Sequence, residues 1–538
     1  MKFLNLFIFL SFYFISFAVF AQQPLKNADQ KEKIEIIQPA PEYLEVVKIK
    51  GKELRKLVGH VHLKQNTVLI SCDSAYLNPV DNNAELFGNV RINQSDTITM
   101  TSDKAIYNGN TKSAKATGNV ILTDPKSKIT TEQMNFNMAT NTAYYLSGGK
   151  IEDTENTLTS KRGYYNTKTK MASFRKDVIV SNPQFKMESD TLQYSTLTKM
   201  AYFEGPTIVT SKEGTVYTTN AEYNTLTQVS NSKSRTTVEY QKYKLTGDTL
   251  YNDKKNEIGL ARGNVELFSK EDNVTILGDV GSFNGPKGIS KVYGRPVMKS
   301  IVDKDTMYLT ADTLIRIDNK ISKEKKLLAY HKVRIFKSDM QGKCDSLIYN
   351  FSDSTIYFYR DPVLWNKENQ MKADTIHVQM DNNKMDKMYL RTNAFVVSQD
   401  SLLNFNQIKG RNMMAKFDSS EVKNINVDGN AESIYFALND SYTATTGMNK
   451  IICSKIIIRF EKNALTKKNE IGKIVFLKQP DATFTPPHET LEPMRRLKGF
   501  KWRASERPTK ETVMIRPSNK IVSKKVENKI KQTKKIKN

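Results

Sequence analysis

The chain is poor in the side chains that do chemistry. Its 538 residues hold five His, three Cys and two Trp. Of the histidines (His60, His62, His331, His377 and His488) only His60 and His62 are near one another. Two residues apart on a strand they share a face, yet two imidazoles are an incomplete zinc site. No metal and no cofactor are expected. Cys72, Cys344 and Cys453 are odd in number and far apart, so a disulfide framework is not indicated and three buried free thiols are expected. No Gly-x-Ser-x-Gly, His-Glu-x-x-His, phosphate-binding loop or dinucleotide glycine motif occurs in a fitting context. Carboxylates are plentiful but recur with a repeat, which makes them structural before catalytic. No catalytic residue is assigned, and the chain is expected not to be an enzyme. Helical periodicity is missing as well, and after the N-terminus no apolar run approaches the 18 residues of a membrane helix.

Negative charge is also in short supply: 82 Lys and Arg stand against 57 Asp and Glu, a formal net charge of +25. Such a field favours anionic partners. Met1-Lys2, the apolar run Phe3 to Phe17 and the box Val19-Phe20-Ala21 form a cleavable signal peptide over residues 1–21, with Gln22 the expected mature N-terminus. Export to the periplasm sets nucleic acid aside and leaves phosphorylated lipid or an acidic membrane face. Residues 22–45 read as a flexible lead-in. From Glu489 to Asn538, sixteen Lys and Arg face five Glu, so residues 481–538 are expected to be a basic, largely disordered tail. Within it, Arg495, Arg496, Lys498, Lys501 and Arg503 alternate with aromatics and are candidates for contact with headgroup phosphates or a partner.

What the sequence does have is a repeat. Short runs that alternate apolar and polar residues are separated by turn residues, the pattern of many short strands. A Gly-Asn-Val box is followed by a Ser/Thr/Gly-Asp-x-x-x-Tyr-Asn box, as in Gly88-Asn89-Val90 and Ser102-Asp103-Lys104-Ala105-Ile106-Tyr107-Asn108. From Asp73 to Asp374 the second residues of the latter boxes step by 30, 29, 29, 29, 30, 28, 31, 33, 33 and 29. A fixed period of this size marks a stacked-layer fold, since one unit cannot bury its own apolar face. The glycine suits a tight corner with positive φ, and the Asp or Ser suits local capping. Asp190-Thr191-Leu192 and its counterparts look like acceptor signals for O-linked glycans, but they occupy the repeat box, where packing explains them.

The boxes at Gly59-His60-Val61, Gly88-Asn89-Val90, Gly118-Asn119-Val120 and Gly263-Asn264-Val265, behind a signal peptide, resemble the OstA-like proteins. That family includes the periplasmic lipopolysaccharide-transport bridge protein LptA and the N-terminal domain of the translocon LptD. The resemblance implies an all-β fold: an elongated, stacked-layer open β-jellyroll of ~30-residue repeats. Residues 46–260 would form it, and residues 261–480 would continue it or form a second. It further implies a periplasmic conduit that carries lipopolysaccharide, a lipid A-type glycolipid, from the inner to the outer membrane along an apolar groove, without chemistry. Alternation selects the groove candidates Val90, Ile92, Val120, Leu122, Val178, Val180, Val265 and Leu267, with Met100, Met134, Met187 and Leu192 between the boxes. Each buried methylene contributes roughly 0.8 kcal/mol, so acyl chains need no special contacts.

Exposed edge strands pair with other chains, so other lipopolysaccharide-transport subunits and an end-to-end oligomer are the expected partners. The chain is longer than a typical bridge subunit and lacks room for an outer-membrane barrel. A structural or polysaccharide-binding β-solenoid scaffold is the alternative. It would need a polar, aromatic face in place of an apolar trough.

Overall fold

The computed structural model describes residues 32–515, apart from 95–97, 126, 155, 272, 303–304, 320–322, 383, 419–420, 440 and 463–468. The expected signal peptide and residues 516–538 lie outside the described residues. The fold is all-β: antiparallel hairpins follow one another along the chain, and the described helical residues are confined to its C-terminal end. Two compact units divide at Tyr144/Tyr145.

The strand Asn83–Gln94 pairs with Ile98–Asn108, which pairs in turn with Ser113–Thr123. Valine, isoleucine, threonine and aromatics favour this pleated, half-buried setting. None of these strands alternates simply. In Ile98–Asn108 the buried set Ile98, Met100, Ser102 gives way after Asp103-Lys104 to Ala105 and Tyr107. The register shifts at the same place, between Thr101 and Lys104, and on the neighbours between Phe87 and Val90 and between Thr117 and Val120. Each such strand is therefore creased by a bulge, which bends it and re-aims its side chains. Its two halves belong to two arms that share one interior.

The Gly-Asn box is the crease. Its corner lies inside a strand and not in a turn between strands. Gly118 and Asn119 have φ of 78° and 46°, Gly88 and Asn89 69° and 44°, and Gly263 and Asn264 73° and 44°. The Asp of the preceding box stands against the glycine and accepts from the asparagine amide: Asn89 to Asp73, Asn119 to Asp103 and Asn264 to Asp248, each at 2.9 Å. The residue before that place in the box, a place taken by Lys161 and Ser454 in two of the layers, points inward and donates to the carbonyl two residues on. Ser102 does this to Lys104, Ser160 to Arg162 and Ser189 to Thr191. Cys72, Cys344 and Cys453 occupy the same place, donating to Ser74, Ser346 and Lys455. The three thiols are thus box residues, buried and free, and burial pushes Cys72 up to about 11 and Cys344 up to about 12.

The C-terminal region departs from the expected tail. Asp481–Thr485 is a strand paired with Thr445–Lys462. Three 3₁₀ turns and the helix Lys510–Met514 follow, and the segment runs back over the second unit as a strap. It lies on the outer face of one arm, the face opposite the shared interior. Leu497 packs with Phe395, Val397, Ile434, Phe436 and Met448, and Phe500 and Trp502 lie alongside. Further back, Val513 packs with Val297, Tyr308 and Phe336. Beneath the strap, Val363, Leu364 and Trp365 are consecutive and all buried, so this strand is covered on both faces.

Two buried glutamines hold the strap by its backbone. Gln407 donates to Arg495 O and accepts from Leu497 N, both at 2.8 Å. Gln370 donates to Lys501 O at 2.7 Å and accepts from Arg503 N at 2.6 Å. Charge pairing adds to this: Arg503 bonds Asp361 and Glu506, and Glu506 also pairs with Lys343. Composition misleads here because the seven cations of the strap are read as solvated charge, whereas Leu497, Trp502 and Val513 supply enough apolar contact to dock it.

Candidate functional site: the trough between the arms

In the first unit the inner face is apolar on either side of the creases, where Ser102 and Thr131 are also buried. Val61, Leu63, Ile70, Leu86, Val90, Ile92, Met100, Val120, Leu122 and Met134 are all buried. The mouth, where the tips of the arms meet, is closed by amides. Gln65, at one tip, donates to the carbonyl of Gly109 at the other (2.9 Å), and Tyr107 donates its hydroxyl to Gln65 at 2.5 Å. Gln94 closes the next layer on Met138 O at 3.2 Å. The residue Glu32, ahead of the first strand, adds its carbonyl as a further acceptor for Gln65. These closures join residues 44 apart, so periodicity at 30 residues gives no sign of them.

The second unit is different. At its creases the interior is sealed: Thr207, Thr218, Thr236, Leu250, Ala261, Val265 and Val292 are buried. Away from the creases, Val209, Val216, Val238, Leu245, Leu267, Val274, Ile276 and Met307 are only partly covered, and Phe283 is 47% exposed. Gly259, Gly278 and Gly281 bring no side chain to this face; by register they pair with Phe283, Val265 and Ala261. This stretch is an open apolar trough, flanked further on by a closed core from Met298 to Ile458.

All twelve groove candidates turn to the interior. Val90, Ile92, Met100, Val120, Leu122 and Met134 lie in the sealed first unit, and Val178, Val180, Met187, Leu192 and Val265 are likewise buried in the second. Leu267 is the exception, half-covered in the open stretch. Sequence reasoning passed over Val216, Val238, Leu245, Ile276 and Met307, whose alternation is the same as that of closed core. Of the five candidate cations, Arg495 donates to Asn404 at 2.7 Å and lies over the Phe436 ring, and Arg503 is held by Asp361 and Glu506. Arg496, Lys498 and Lys501 are exposed along the strap.

His60 sits in a crease (φ 47°) and its Nδ1 lies 2.9 Å from Glu42, so the bulge parts it from His62. Among the described residues no group of three or more His, Cys, Asp or Glu is placed to hold a metal ion, and no helix is long and apolar enough to cross a membrane.

No curated protein matches the chain. Among solved structures, LptH of Pseudomonas aeruginosa, the LptA-homologous periplasmic component of a lipopolysaccharide transport device, aligns at 13% identity over 22% of this chain and 83% of its own, with a TM-score of 0.20. The family model described as OstA-like protein matches residues 31–190. The match ends there, while the crease recurs as far as Gly429-Asn430, with φ of 79° and 49°. The resemblance carried by the boxes at Gly59, Gly88 and Gly118 is therefore shown, and over residues 31–190 this chain is similar to the OstA-like proteins.

Proposed function

We propose that this chain is an exported, periplasmic lipid-binding conduit for lipopolysaccharide, and that it works by holding acyl chains in the trough without chemistry. One observation carries the reading: an inward face that is apolar on both sides of each crease, with small hydroxyls only around the creases, and that lies partly open from Val209 to Met307. An acyl chain laid there removes its own surface and that of Leu245, Leu267 and Ile276 from water, at roughly 25 cal/mol per Å². A polysaccharide scaffold would instead present hydroxyl and amide groups on that face. The exposed strap cations Arg496, Lys498 and Lys501 suit phosphate groups.

The terminal strands suit partner subunits of the same transport path. Tyr43–Ile49 pairs on one side with Lys52–Gln65 and leaves Leu44 and Val46 half-exposed or more. Asn469–Leu477 pairs with Thr445–Lys462 and exposes Ile471 and Ile474. Such edges template a further strand.

The test is mass spectrometry of lipid that co-purifies with the mature protein from its own cell envelope. A stoichiometric lipid A-type glycolipid, lost in Leu267→Asp/Ile276→Asp with β-sheet content unchanged, is the expected result. Folded wild-type protein free of lipid would favour the scaffold.

A further inference from the structure

In the second unit the arm tips meet once more, by other means. Glu213, in the turn between Met200–Ser211 and Gly214–Asn224, pairs with Lys254, in the turn after Thr249–Asp253, at 3.4 Å. The 41 residues between them match the offset of the amide closures, 44 residues from Gln65 to Gly109 and from Gln94 to Met138. The same arm-to-arm contact is therefore made by a different chemistry. Gln65 is buried, whereas the Lys254 and Glu213 side chains are 55% and 65% exposed.

Inside this contact stand two tyrosines. Tyr240 and Tyr243 flank the inward pair Val238 and Leu245 on adjacent strands, with ring centroids 4.8 Å apart and tilted by 47°. Burial raises the pKa of both hydroxyls, and the Glu213 charge adds to it. Beyond the rings lie the half-covered Val216, Leu267 and Ile276.

We propose that the Glu213–Lys254 pair is the latch of a side entrance through which acyl chains pass between the arms into the second unit, with Tyr240 and Tyr243 as the apolar threshold. This rests on the lipid-binding reading above. An exposed ion pair adds little stability, so it parts readily and is screened by salt. Opening the first unit would instead strand buried amide and carbonyl groups, which is costly. Lateral access thus favours the layer where the closure is solvated and the interior behind it is open.

The experiment follows uptake of a fluorescent palmitoyl probe by the full mature chain, with lipid stripped beforehand. Glu213→Lys, which sets two cations against each other, should raise the uptake rate about three- to fivefold without changing the amount bound. Wild-type uptake should quicken with salt, and that of the variant should not. The pair Glu213→Cys/Lys254→Cys, joined by a short bismaleimide, should load far more slowly than the same protein left unjoined. Joined protein that loads at the unjoined rate would overturn the latch and leave lipid binding standing. Wild-type protein that neither takes up the probe nor co-purifies with lipid would overturn both.

Discussion

At Gly118 a methyl group has nowhere to go. The φ of 78° is one that L side chains rarely adopt, and a Cβ would stand 2.5 Å from the Asp103 carboxylate. That carboxylate is the acceptor for Asn119. Gly118→Ala therefore meets backbone strain and a displaced hydrogen bond together, and should lower stability by about 2–3 kcal/mol in a urea titration of the full chain. Asn119→Ala loses only the hydrogen bond and should lose less. The same logic explains the cysteines. A thiol at the Ser/Thr place of the box keeps the inward contact to the carbonyl two residues on, and burial keeps those of Cys72 and Cys344 protonated.

The strap shows how one element can tie repeats that are distant in sequence. Gln407 reads the backbone of Arg495 and Leu497 with both of its polar atoms. Gln407→Ala leaves both groups buried and unsatisfied, at about 1–3 kcal/mol each. The expected readout is an earlier thermal transition of the second unit with more dye binding at Phe395 and Phe436, whose rings the strap covers. The ion pairs of the strap also make it sensitive to acid. The Arg503 guanidinium, with Lys343, holds Glu506 at about 2, well below its ordinary value of 4.5. A carboxylate whose pKa is depressed on folding contributes stability above its unfolded value, and this contribution is lost as pH falls. Strap attachment should therefore be full at pH 6 and weaken between about pH 4.5 and 2. Tryptophan fluorescence of Trp502 would follow the loss, and Glu506→Gln should flatten the profile.

On the scale of the molecule, each repeat contacts mainly its neighbours, so stability is the sum of local interfaces and varies along the chain. The first unit is closed by buried amides, and the stretch from Met298 to Met448 has both an inner core and an outer strap. Between Val209 and Phe283 there is only the small core of Leu250, Ala261 and Val265, and among the described residues no strap contact is seen over it. Hydrogen exchange should show this directly. Amides near Val216, Val238, Leu245 and Ile276 should exchange faster than those near Val90, Leu122 and Met134, and bound acyl chains should narrow the difference. Equal protection in both stretches would count against an open trough.

The sequence alone determined the repeat, because each layer needs the same crease and that crease demands glycine, asparagine and a facing aspartate. It also determined which side chains turn inward, because strand alternation is local: all twelve groove candidates do so. Tertiary structure decided which of those inward positions are closed. Leu122 and Leu267 follow the same box at the same spacing, yet one is sealed beneath Gln94-type closures and the other is half-open, since the gap between the arms depends on partners about 44 residues away. It also decided the fate of the basic C-terminal segment, whose charge is plain in composition. Docking there depends on Gln370 and Gln407, more than 80 residues upstream. Contacts of that range leave no mark on local pattern, because nothing in a strand's own residues records what lies across the trough or over its outer face.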